Sequence, residues 1–171
     1  PPTDPYGNSF GTLQINSGDL LLIIQMQDAA INSTNDNTYG SGFSNSGTDL
    51  LGGTGFTSIG NTGLYEYVVA TNNVPLSGGN LTFLGTGSGN GLLNSYVDAA
   101  ATTTSGKNTF MIFRVPQYSK LTLTANVTTP PFNGTCGGVI AFNVSGNFNF
   151  SKITIDENAR GIRGGYSRQS G

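Results

Sequence analysis

The chain has 171 residues, 26 of them glycine, with a net charge of −2 and only 9% charged residues. A length of this order forms one domain with a sizeable core. Ordinary domains are about 25% charged, so Asn, Ser, Thr and Gly must cover this surface, and the shortage of cations excludes a nucleic-acid footprint.

Residues 1–11 read as an extended, turn-rich segment containing Pro1, Pro2, Pro5, Gly7 and Gly11. Pro1-Pro2 reads as a mature or trimmed start. Thr12–Asn16 alternates as a short strand through Leu13 and Ile15, and Ser17-Gly18-Asp19 turns it. The run Leu20–Met26 is the most apolar in the chain. It is too short for an ordinary helix and predicts a central strand buried on both faces, with Leu22 and Ile24 deeply covered. From residue 29 to 63 the pattern dissolves into turn chemistry, predicting a long loop region. Leu64–Ala70 reads as a strand with Tyr65, Tyr67 and Val69 on one face, and Leu81–Leu84 as another. Between them and the strong strand Thr109–Val115, only Asn94–Thr104 has room for a helical turn or two. Lys120–Thr128 alternates, with Leu121, Leu123, Ala125 and Val127 inward.

Residues 137–165 hold the C-terminal strands. Ile140, Phe142 and Val144 alternate with Ala141 and Asn143; Ser145-Gly146-Asn147 is a turn; Phe148, Phe150, Ile153 and Ile155 continue the pattern. The odd step from Phe150 to Ile153 calls for a bulge or a corner between parallel coils. The stretch is a hairpin or the opening turns of a β-solenoid. Its edge at Asn147, Phe148 and Asn149 has only Lys152 as a nearby charge, so it needs a cover: the next domain of a parent protein or a neighbouring copy. Lys or Pro at Asn147 or Asn149 is then expected to block self-association. No repeat of fixed period is visible. The fold class expected is all-β, a β-sandwich or β-solenoid-like single domain over residues 1–171 with long Gly/Asn/Ser-rich loops.

Chemistry is sparse. The chain lacks His, the usual general base and metal ligand. Its one cysteine, Cys136, has no His to activate it and reads as a small buried residue. Gly85–Gly91 (GTGSGNG) has dinucleotide-type spacing, but no amphipathic helix follows it, so it reads as a turn. Glu66 and Asp98 are the acids one would try as a glycosidase pair, yet no spacing singles them out. No metal or cofactor is required by any motif; calcium is the ion that Asp28, Asp36 and Asp49 would take, since they concentrate loop oxygens. Tyr65, Tyr67, Tyr96, Tyr118 and Phe43 are the aromatics available to stack on a sugar. Sequons stand at Asn32, Asn80, Asn126, Asn133, Asn143 and Asn149. No apolar run reaches the ~18 residues of a spanning helix, so membrane insertion is not expected.

The phrases GDLLLIIQMQDAAINSTN, GLYEYVVA, GLLNSY, FRVPQYS, GGVIAFNVSG and GIRGGYSRQ follow one another in this order. Together they resemble an N-terminal region of large secreted bacterial surface proteins, adhesin-like and often carrying the DUF11 conserved-repeat domain. The resemblance covers residues 18 to 170. In such relatives the segment like GIRGGYSRQ leads into more Gly-rich sequence, so this chain, with its Gln169-Ser170-Gly171 end, reads as a fragment. The resemblance implies a non-enzymatic extracellular module, located at the cell surface and acting in adhesion or in filament or matrix assembly. Its partners would be other copies or neighbouring domains of a surface protein, and glycans. A carbohydrate-binding module is the alternative; a polysaccharide-active enzyme on a β-helix ranks third.

Overall fold

The computed structural model describes residues 13–32, 55–102, 105–150 and 152–162, and for residues 56 and 57 the backbone alone. The segment 1–11, Asp36, Phe43 and Asp49 lie outside the described residues. The described residues form ten strands, in chain order: β1 (Leu20–Gln27), β2 (Ala30–Asn32), β3 (Gly55–Ser58), β4 (Tyr65–Ala70), β5 (Phe83–Leu84), β6 (Thr109–Arg114), β7 (Gln117–Tyr118), β8 (Leu121–Thr122), β9 (Asn143–Val144) and β10 (Phe148–Asn149). Among the described residues the one helical element is a 3-10 turn at Ser88–Asn90. The fold is all-β.

The apolar run Leu20–Met26 does become the central strand. β1 lies between β4 and β6 in an antiparallel sheet of order β5-β4-β1-β6. Leu22 pairs with Tyr67 on one side and Phe113 on the other. With both edges paired, its backbone groups are satisfied in the ladder. One sheet face carries the core: Leu21, Ile23, Val68 and Ala70 are buried, with Leu81, Phe83, Leu92, Tyr96, Phe110 and Ile112 against them. The other face is less covered. Leu22 is buried, but Ile24 is only partly so, and β4 exposes Tyr65, Tyr67 and Val69. Alternation in β4 therefore buries Glu66, Val68 and Ala70 rather than the tyrosines.

Two expectations need correction. The loop region 29–63 contains a ladder, since β2 pairs antiparallel with β3; turn-rich composition conceals a strand this short. Of the expected strand Thr12–Asn16, the described residues 13–16 form no full strand, only a bridge from Ile15 to Val74. Where a helical turn had room, residues 94–102 make none; the N–H groups of Asn94 and Val97 go to the side chains of Glu66 and Gln25.

After β6 the chain changes style, from antiparallel sheet to parallel coils. Gln117 pairs in parallel with Asn143, 26 residues on. Leu121 pairs with Phe148, 27 on, and Val127 with Ile155, 28 on. This is β-solenoid geometry: a coil starting at Pro116 and a second stacked beneath it from Asn143. β9 and β10 pair with the first coil, not with each other, so the hairpin alternative fails. The odd step after Phe150 is a corner, where Lys152 takes a left-handed φ of 63° and the Ile153 N–H closes on the Phe150 carbonyl at 3.1 Å. Gly138 marks another: its φ is 73°, and a Cβ there would stand 2.5 Å from the Arg160 carbonyl oxygen. The two parts are joined where the Val115 N–H donates to the Leu20 carbonyl at 2.8 Å.

Ile23→Ala, in the buried face, is expected to cost about 2–5 kcal/mol by urea denaturation, and Ile24→Ala, on the opposite face, clearly less. Equal losses would contradict the assignment of the core to one face.

Candidate functional site

Two polar side chains sit in the core beside the apolar cluster, and their placement explains the irregular segment 91–98. Gln25, fully buried, accepts the Val97 N–H at 2.9 Å and donates to the Val97 carbonyl at 2.8 Å. Glu66 accepts the N–H of Leu93 at 2.9 Å, the N–H of Asn94 at 3.0 Å and the Tyr96 hydroxyl at 3.1 Å. The two side chains thus supply acceptors that a helix would otherwise have provided. Burial alone raises the Glu66 carboxyl pKa; the backbone N–H groups of Leu93 and Asn94, then Tyr96 and the Asn94 amide, outweigh it, and the group sits below its ordinary value. Burial pushes Tyr96 up to about 12; the Asn94 side chain opposes this and Glu66 adds to it. An acid saturated with donors is built to hold a loop.

Of the acids singled out from sequence, Asp98 is exposed and Asp28 is engaged. Asp28 accepts the Asn61 N–H at 2.8 Å through one oxygen and the Asn108 amide through the other. Both oxygens hold neighbouring loops, and among the described residues no three His, Cys, Asp or Glu come together as a metal cluster. The GTGSGNG stretch closes on itself: the Gly85 N–H donates to the Asn90 carbonyl at 2.7 Å. A Cβ on Gly85 would stand 2.2 Å from the Gly91 carbonyl oxygen, so close backbone approach, not phosphate, accounts for the glycine. Among the sequons, Asn80, Asn126, Asn133, Asn143 and Asn149 are exposed and Asn32 is half-buried at the end of β2. Asn126 accepts the Thr154 N–H at 3.1 Å, tying the coils together. Asn133 accepts the Cys136 N–H at 3.0 Å in a local turn. Cys136 is half-buried.

The aromatics divide. Tyr96 is a core residue, 6.1 Å from Phe110 between ring centres. Tyr65 and Tyr67 are exposed and meet edge to face at 6.1 Å. Tyr118 lies in a polar groove of about 230 Å³ with Gln117, Ser119, Asn143 and Ser145.

The most distinctive surface is the lower edge of the second coil. In a parallel ladder, alternate residues direct both backbone groups to one neighbour. The Leu121 N–H donates to the Asn147 carbonyl at 3.0 Å, and the Leu123 N–H to the Asn149 carbonyl at 2.9 Å. Asn147 and Asn149 therefore face the first coil, and the N–H and C=O of Phe148 face away from it. The same logic holds at Val144, since the Ser145 N–H reaches the Tyr118 carbonyl, and at Ile155, since Val127 bonds Thr154 and Asp156. Of the three edge residues expected from sequence, only Phe148 presents its backbone outward. Apolar side chains lie exposed beside this edge: Phe148 is 38% exposed, Phe150 55% and Ile155 42%. Their counterparts above, Leu121, Leu123 and Val127, are half-buried. Phe148 packs at 6.2 Å from Phe142 and 5.3 Å from Phe150. A groove of about 580 Å³ opens there, lined by Asn147, Phe148, Asn149, Phe150, Lys152 and Ile153.

No protein-family model, curated protein or solved structure matches this chain. Among the described residues no helix is long and apolar enough to cross a membrane.

Glu66→Gln is expected to cost about 2 kcal/mol at neutral pH, the scale of hydrogen bonds to a charged group. The folded pKa lies below the ordinary 4.5. The carboxylate's contribution is therefore complete above that value and is lost as pH falls through the folded pKa. The gap in urea midpoint between variant and wild type should narrow as the solution is acidified. A gap unchanged into strong acid would remove Glu66 from its holding role.

Proposed function

We propose that the chain is a non-enzymatic extracellular module of a cell-surface, adhesin-like protein, working as a rigid β scaffold in adhesion or in filament or matrix assembly. The observation that carries this reading is the pair of parallel coils, with in-register ladders 26 to 28 residues apart. Stacked coils make an elongated support whose surface is available for contact. The sparsely charged surface and the resemblance to secreted bacterial surface proteins support the same reading. Glu66, the buried acid of the sheet, is committed to holding a loop through the N–H groups of Leu93 and Asn94, which speaks for structure over catalysis.

One observation favours a carbohydrate-binding role as the second reading. The groove around Tyr118 joins an aromatic ring to two amides and two hydroxyls, and Tyr65 with Tyr67 offers a further stacking surface.

Antibodies against the folded protein should label intact cells of the source organism, and brief protease treatment of those cells should remove the signal. Labelling only after lysis would contradict the surface assignment. On a glycan array, the scaffold reading expects no specific binding. Binding lost in Tyr118→Ala or Tyr67→Ala, with the melting temperature unchanged, would establish the second reading instead.

A further inference from the structure

Resting on the scaffold reading, we infer that the lower edge of the second coil receives one further solenoid coil: an extended polypeptide running parallel to it, with apolar side chains on Phe148, Phe150 and Ile155 and uncharged polar side chains outside. Three separate stretches carry the argument. Val144, Phe148 and Ile155 each lie opposite a first-coil residue that spends both backbone groups on the second coil. Each therefore turns its own N–H and C=O to the same open side. Partners for all three must recur with the spacing that already separates the two coils. A coil of the same length meets all three at once.

A second copy, docked by a twofold axis, would align antiparallel with one stretch and miss the others unless the coil outline were symmetric. The outline is not: the ladders are separated by two residues between Tyr118 and Leu121 and by four between Thr122 and Val127. Side chains agree with a coil as occupant. Leu121 and Val127 are half-buried because Phe148 and Ile155 lie beneath them, whereas Phe148 and Ile155 themselves are 38% and 42% exposed. The groove of about 580 Å³ under this edge has one charged lining residue, Lys152, so the strand it takes needs little charge of its own. The interface is a continuation of one the molecule already makes, and strand addition to an open edge is a common mode of recognition.

The probe is an unlabelled synthetic peptide with the sequence of residues 137–162, which already forms the second coil on a first coil of similar pattern. It is added to the isotope-labelled full chain and amide exchange is followed by NMR. The amides of Val144, Phe148 and Ile155 should exchange about tenfold more slowly at saturating peptide. Those of Leu121, Leu123 and Val127 should be protected with or without it. Phe148→Pro removes an outward N–H and should abolish the slowing while leaving the first-coil amides protected; Val144→Pro does the same if the first variant does not fold. Asn149→Pro, which removes an inward N–H, should instead expose the amides of the first coil.

Outward amides that exchange at the same rate at saturating peptide would overturn the inference and leave the scaffold reading standing. First-coil amides unprotected in the free protein would overturn both. Slowing that depends on protein concentration without peptide would make a second copy the occupant and overturn the coil.

Discussion

The backbone ladder between the two coils is the interaction on which the C-terminal third depends. Its residues bury little: the side chains of β7 to β10 are half-buried or exposed. Among the described residues the apolar core cluster lies in the sheet, away from these strands. What fixes them is the need of each N–H and C=O for a partner, met by a segment one coil later. Side chains reinforce the register rather than set it. Glu157 accepts the Thr129 N–H at 2.9 Å, and Asn126 holds Thr154. Both reach across with the same offset of 28 residues.

The antiparallel sheet solves the opposite problem. There a dense apolar face around Leu21, Ile23 and Val68 supplies the stability; the Gln27 side-chain oxygen and the Thr109 hydroxyl are buried without a partner among the described residues, but a buried polar side chain costs least when it is hydrogen-bonded. Gln25 and Glu66 meet that condition by holding the segment from Leu93 to Val97. The last strand of the sheet then leads directly into the first coil, with Val115 still bonded to Leu20. Lys107 donates to the Gly134 carbonyl at 2.7 Å and braces the sheet side against that coil. A folded sheet thus presents the first coil with fixed ends, which lowers the entropy cost of stacking the second.

Local pattern was readable where one residue's fate depends on its immediate neighbours. Leu20–Met26 announces a central strand because nothing so apolar and short fits elsewhere. The odd step at Phe150 announces a corner. Pairing was not readable, because period-two alternation says which face is apolar and nothing about the partner strand. Val144 and Phe148 fit a hairpin and a solenoid equally well. The coil spacing leaves no repeat in the sequence because its members share backbone register, not identity: Tyr118 stands above Val144 and Leu121 above Phe148. Nothing near Glu66 in sequence shows its structural role, because its donors lie 27 to 30 residues away. Asn147, Phe148 and Asn149 read alike as one edge in sequence, since only the hydrogen-bond direction separates inward from outward residues.

The parallel register of the coils is tested most directly by disulfide trapping in a Cys136→Ser background. Thr122 and Asn149 are register partners in the parallel ladder and both are exposed. Cysteines at these two positions should oxidise readily to an intramolecular disulfide, since neighbouring strands hold Cα atoms about 5 Å apart. Cysteines at Asn143 and Asn149, which would face each other in a hairpin around Gly146, should not. Trapping of Asn143 with Asn149, and none of Thr122 with Asn149, would contradict the coiled architecture and restore the hairpin.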